Sequence, residues 1–164
     1  MPHSFTLQEI ILRLGVASLC GLLLGLDREI KQKTVGVRAF LLVCLGSASF
    51  TMMIVEITNY YQQIYEDLSM DPTRIIQGVV TGIGFLGGGA ILQKGDHVAG
   101  TATGASIWVC GAIGVACGYG LYVHAGIATA FAFAVLTIVG LIRSLLREDL
   151  ELNEEPCEDT KNKK

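Results

Sequence analysis

The sequence predicts an all-α integral membrane protein: a bundle of about five transmembrane helices, N-terminus outside and C-terminus cytoplasmic. Three observations predict it. Charge is scarce and gathered. Of 164 residues, 51% are hydrophobic and 16% charged, where a soluble domain carries about 25% charged residues. The charges cluster at Asp27–Arg38, Glu56–Arg74, Lys94–His97 and from Arg143 onward. The apolar runs between these clusters are each near the ~20 residues that cross a hydrocarbon core. The third observation is the stretch Gly78–Gln93, which has no charge and is crowded with glycine. Glycine weakens a helix in water. In lipid the backbone must pair with itself, and small residues let helices touch.

The elements follow in order. Thr6-Leu7-Gln8-Glu9 has capping-box spacing, so the first span starts there and runs to about Leu26. The second runs from about Val37 to Ile57. The third opens near Arg74, with Asp71 as cap and Pro72 in the first turn, and ends near Gln93. The fourth covers Thr101 to Gly118, and the fifth Tyr122 to Ile142. Residues 1–143 thus form one transmembrane domain. The remainder, 144–164, is polar and charged and reads as a disordered cytoplasmic tail.

Lysine and arginine set the orientation. The first connection carries Arg28, Lys31, Lys33 and Arg38, the third carries Lys94, and Arg143 and Arg147 follow the last span. Cationic connections stay in the cytoplasm. Tyr60, Tyr61, Tyr65, Tyr119 and Tyr122 then fall at the outer interface, where tyrosine is favoured. The N-terminus lacks the basic start and cleavage site of a signal peptide. Net charge is −3, so no general attraction to nucleic acid is expected.

Gly82-Ile83-Gly84-Phe85-Leu86-Gly87 matches the pattern GxGxxG. A dinucleotide site needs a strand before it and a soluble βαβ unit around it. Inside a membrane span, helix packing is the better reading: Gly78 and Gly82, Gly84 and Gly88, Gly21 and Gly25, and Gly114 and Gly118 are all small-xxx-small pairs. A sharper alternative stands beside it. Gly87, Gly88 and Gly89 let a helix unwind and offer carbonyls to an ion.

Asp27, Arg28 and Glu29 lie where the first span leaves the membrane. Two apart on a helix, the carboxylates point to different sides. The bland reading is a solvated helix end held by lipid headgroups. The functional reading is an ion network at the mouth of the bundle, reaching Arg38 or Asp96. Thr101, Thr103 and Ser106 open the fourth span, and Thr81 of the third can meet them. They read as hydroxyl packing or as the lining of a polar path. Trp108 lies two turns in from Thr101.

Ser106 lies near the start of the fourth span and His124 beyond its far end, at the start of the fifth, so they make no nucleophile–base pair. Four cysteines lie in apolar runs and read as small packing residues. No catalytic constellation, metal-ligand spacing or cofactor motif emerges, and no enzyme is expected. No acidic or basic residue occupies the middle of a span, where ion-coupled carriers usually place one.

In order along the chain, Gly25-Leu26-Asp27-Arg28-Glu29, Gly36-Val37-Arg38, Gly82-Ile83-Gly84-Phe85-Leu86-Gly87-Gly88-Gly89 and Gly100-Thr101 with Ser106-Ile107-Trp108 resemble the MgtC/SapB family of bacterial inner-membrane proteins. The resemblance covers roughly residues 7 to 142. It implies a five-helix inner-membrane domain with the N-terminus outside and a link to magnesium limitation. In pathogens it implies a link to survival inside host cells. It further implies regulation, including restraint of the rotary ATP synthase, or, on an older view, magnesium transport. The chain departs from the family's pattern in reading as a short form without the soluble C-terminal domain. It also has Ala99 where an arginine is common and Ala102 where a polar residue is common.

The expectation is therefore a non-enzymatic, multi-pass regulator in the bacterial inner membrane. It acts by helix contact with itself or with another membrane complex, with possible involvement of Mg2+. The alternative is an oligomeric transporter of magnesium or another ion. The candidate cluster is Asp27, Arg28, Glu29, Arg38, Thr81, Gly84, Gly87, Gly88, Gly89, Asp96, Thr101, Thr103, Ser106 and Trp108.

Overall fold

The structure, a computed structural model, describes residues 5–33, 35–64, 71, 73–94 and 97–153. Its helices are α1 (Leu7–Ile30), α2 (Val37–Ile64), α3 (Thr73–Gly89), α4 (Thr101–Gly118) and α5 (Tyr122–Asn153). Two strands, β1 (Leu92–Lys94) and β2 (His97–Ala99), join α3 to α4. By length and composition α1, α2, α4 and α5 are each apolar enough to cross a membrane, and α3 contributes a shorter apolar helix, Ile76–Gly89.

The capping box forms as read. Thr6 Oγ1 accepts the Glu9 N–H at 3.3 Å, and Glu9 Oε2 accepts the Thr6 N–H at 2.8 Å. At the start of α3, Asp71 Oδ1 accepts the N–H of Thr73 at 2.9 Å and its hydroxyl at 2.7 Å. These bonds hold the Asp71 carboxyl below the usual range. Pro72 lies outside the described residues.

α4 is the axis of the bundle. It touches α1, α2, α3 and α5, and 61% of its span is buried, against 11% for α5. A helix apolar all round belongs in a core, and small residues let its neighbours close in. A Cβ at Gly114 would lie 2.5 Å from Cys44 O, and one at Gly118 would lie 2.7 Å from Ala48 O. Phe40, Leu24, Ile113, Cys44, Cys110 and Cys117 fill the space between α1, α2 and α4. Cys44 Sγ donates to Cys110 O at 3.3 Å, which fits the reading of these cysteines as packing residues.

Four helix ends differ from expectation: α1 continues past Leu26 to Ile30 and α2 past Ile57 to Ile64, and the ends of α3 and α5 also move. α3 ends at Gly89, not Gln93, and the residues that follow form an antiparallel pair, Leu92 opposite Ala99 and Lys94 opposite His97. Three consecutive glycines propagate a helix poorly, and Ile91 N–H turns back to Gly88 O at 3.1 Å. Gly100 then starts α4 at φ 90 with no side-chain cap, a conformation glycine adopts without strain. α5 continues to Asn153, into the segment read as a tail. The rest of that tail, 154–164, lies outside the described residues.

Candidate functional site

Two ends of the bundle carry its polar chemistry. At the end where α1 leaves, Arg28 and Asp27 are 4% and 8% exposed, so neither is a solvated helix end. Arg28 Nη2 donates to Thr103 Oγ1 at 2.7 Å, tying α1 to the first turn of α4. Asp27 takes the other side: Lys31 Nζ lies 2.6 Å from its Oδ1, and Thr137 of α5 donates to the same oxygen at 3.4 Å. Lys31 also reaches Leu136 O at 3.4 Å. The network thus joins α1, α4 and α5. It is incompletely satisfied, because Asp27 Oδ2 and Arg28 Nε are buried without partners among the described residues. Buried charge in that condition is costly.

Glu29 points elsewhere, as its two-residue offset from Asp27 requires. Its Oε2 accepts the Val37 N–H at 3.0 Å, placing a carboxylate at the positive end of α2. Gly36 leaves the room for it: a Cβ there would lie 2.5 Å from that oxygen.

The other candidates divide. Gly87 packs on the α4 backbone at Gly104, where an added Cβ would lie 2.5 Å from Gly87 O. Thr103 and Ser106 are buried. Ser106 Oγ donates to Ala102 O of its own helix. Thr81, exposed, donates to Gln77 O at 2.8 Å. The expected meeting of Thr81 with the α4 hydroxyls is therefore not made. Arg38 is exposed and stands outside the Arg28 network. Thr101 is exposed, Trp108 is 49% exposed, and Gly84, Gly88 and Gly89 face open space. Asp96 lies outside the described residues.

Sequence reasoning missed Lys31, Thr137 and Gly104 as partners. Lys31 was findable, since it lies four residues after Asp27 on one helix face. Thr137 is a lone hydroxyl in an apolar run, which signals a polar contact without naming the partner. For the β1–β2 pairing the sequence offers only the turn dipeptide Gly95-Asp96, between Leu92-Gln93-Lys94 and His97-Val98-Ala99, which mix polar and apolar residues.

At the opposite end, Arg13 donates through Nη1 to Gly118 O, at the C-terminus of α4. Its guanidinium also lies 4.2 Å from the Phe5 ring centre. Glu56 accepts the Phe5 N–H at 3.1 Å. These two charges, the ones nearest the interior of any span, fasten the N-terminal segment and the end of α4.

The glycine pairs sort into two kinds. Gly21, Gly25, Gly114 and Gly118 pack against neighbouring helices inside the bundle. Gly78, Gly82, Gly84 and Gly88 of α3 have nothing within 4 Å of an added Cβ. Gln77, Thr81, Gly84 and Gly88 recur at helical spacing and form one outward strip. All four are exposed. Among the described residues no group of three His, Cys, Asp or Glu is placed to hold a metal ion.

The MgtC family model matches residues 14–145 of this chain. Three relatives illustrate the similarity. The protein SapB of Bacillus subtilis is 35% identical over 118 residues, 71% of this chain and 50% of its own length. The protein MgtC of Brucella abortus is 38% identical over 122 residues, 74% of this chain and 48% of its own. The putative magnesium transporter YhiD of Escherichia coli is 39% identical over 115 residues, 70% of this chain and 53% of its own. The chain thus spans about half the length of the curated relatives it matches. No solved structure matches it.

Proposed function

Because the chain belongs to the MgtC family, we propose that it is a magnesium-related regulator of the bacterial inner membrane that works by helix contact rather than by catalysis. One observation carries this reading: the strip Gln77, Thr81, Gly84 and Gly88 is exposed, and nothing lies within 4 Å of a Cβ added at Gly84 or Gly88. Small residues permit close backbone approach, and an amide or hydroxyl facing lipid gains by bonding across to another helix. A lipid-facing Gln77 is hard to explain otherwise. The partner is a second copy or another membrane complex, and the rotary ATP synthase is the complex that the family resemblance nominates. In the membrane the N-terminus is outside and the cationic Arg28 end is cytoplasmic, following the lysine and arginine bias.

The test is crosslinking in native membranes. Gly84→Leu with Gly88→Leu, or Gln77→Leu alone, should abolish the crosslinked species. Association unchanged by all three substitutions overturns the reading.

Ion transport is the second reading. The under-satisfied Asp27–Arg28–Thr103 network favours it, as does the name of the Escherichia coli relative. Against it, the Gly87 and Gly88 carbonyls already accept the N–H groups of Ala90 and Ile91 at 3.2 and 3.1 Å. Thr81 is also turned away from Thr103. Mg2+ flux into proteoliposomes no greater than into empty vesicles ends that reading.

A further inference from the structure

α3 leans on α4 and barely meets α2, which leaves a furrow of about 710 Å³ between α2 and α3. Its walls are apolar, with Phe50 on α2 and Leu86 on α3, and its floor is Gly46, Gly78 and Gly82. None of the three glycines has an atom within 4 Å of an added Cβ. The volume is that of a small-molecule site. One end carries Arg74, which is exposed. Among the described residues Arg74 makes no ion pair within 4 Å; the nearby Asp71 carboxylate is bonded by Thr73 and also feels the Arg74 charge.

Length and charge identify the occupant. From Arg74 to Leu86 the helix rises about 18 Å, slightly more than one leaflet, which is half of the ~30 Å hydrocarbon core. A furrow one leaflet long, apolar but for the Ser47 hydroxyl and cationic at its end, has the chemistry of one lipid molecule. A partner helix would be 10–12 Å wide and would be held by polar side chains along its contact. On α3 such side chains, Gln77 and Thr81, lie outside the lining of the furrow. We propose that this furrow is a phospholipid site, with one acyl chain laid over Gly46, Gly78 and Gly82 and the lipid phosphate on Arg74. The lining shares no residue with the strip proposed for helix contact, although Arg74 stands one turn before Gln77 on the same helix; Gly82→Leu and Gly84→Leu distinguish the two.

Native mass spectrometry of the full chain in mild detergent, with phosphatidylglycerol added, tests the assignment. The wild type should retain one lipid. Arg74→Gln should lower retention about fivefold, the worth of one basic residue at a phosphate. Gly82→Leu has room to fill the floor and should remove the bound lipid. Gly84→Leu, on the other side of α3, should leave retention unchanged. If Gly82→Leu does not fold, Arg74→Gln decides alone. Equal retention by the wild type and Arg74→Gln overturns the proposal. So does displacement of the lipid by inorganic phosphate, which would make this a free-anion site, or a protein dimer that Gly82→Leu dissolves, which would make it a helix seat.

Discussion

Arg28 is 4% exposed, and the hydroxyl of Thr103 is the acceptor it has found. Removing one partner of a buried charged pair costs more than replacing both, because the survivor keeps its desolvation penalty. Thr103→Val should therefore destabilise the protein by about 1–3 kcal/mol. Adding Arg28→Met should recover most of that loss, because the charge leaves with its partner. Thermal unfolding in detergent of the two single variants and the double variant measures the coupling. Additive losses would show that the bond contributes nothing of its own. Glu29 makes a second residue-level case. Its carboxylate serves the start of α2, so Glu29→Ala should cost about 0.5–2 kcal/mol, the usual worth of a helix N-cap. The same unfolding assay reads it. The sequence carried half of this site. The two-residue offset already separated Asp27 from Glu29. The Arg28 partner was not legible, because Thr103 is 75 residues away and no local period links them.

Among the elements, α3 joins the bundle through its α4 face, where Gly87 and Gly104 meet backbone to backbone. Gly104→Ala would drive a methyl into the Gly87 carbonyl. Such overpacking costs about 1–3 kcal/mol. Gly84→Ala meets open space and should not destabilise the protein, and alanine's better helix propensity should raise stability by up to about 1 kcal/mol. Unfolding of the two variants side by side checks the contrast, and equal effects would refute the assignment of inner and outer faces. That division could not be read from spacing. Gly78/Gly82 and Gly114/Gly118 have the same small-xxx-small period, yet one pair faces outward and the other is buried. Period says that a face is smooth, and the fold decides what lies on it. The third span, α3, is a shorter apolar helix; the other four of the five were legible, because a bilayer imposes a length. The β1–β2 pairing was not, since three-residue strands hold too little alternation to compete with a continuing apolar run.

For the whole molecule, the two ends of the bundle differ in charge, and the network at the Arg28 end ties the course of α5 to that difference. Thr137 reaches Asp27 and Lys31 reaches Leu136, so α5 returns to the end where Arg28, Lys31, Lys33 and Arg38 gather. Any segment after α5 then leaves on the cationic side. If cation-rich connections are retained in the cytoplasm, Cys157 must be cytoplasmic as well. It is also the natural reporter, because the other four cysteines are buried free thiols. A membrane-impermeant maleimide applied to intact spheroplasts should leave Cys157 unlabelled and should label it after permeabilisation. Gln8→Cys, an exposed position at the Arg13 end, should react before permeabilisation. The reverse pattern would invert the orientation and place Arg28 outside. It would leave the α3 strip and the α2–α3 furrow untouched, because both are built from lateral faces of the bundle and neither depends on which end meets the cytoplasm.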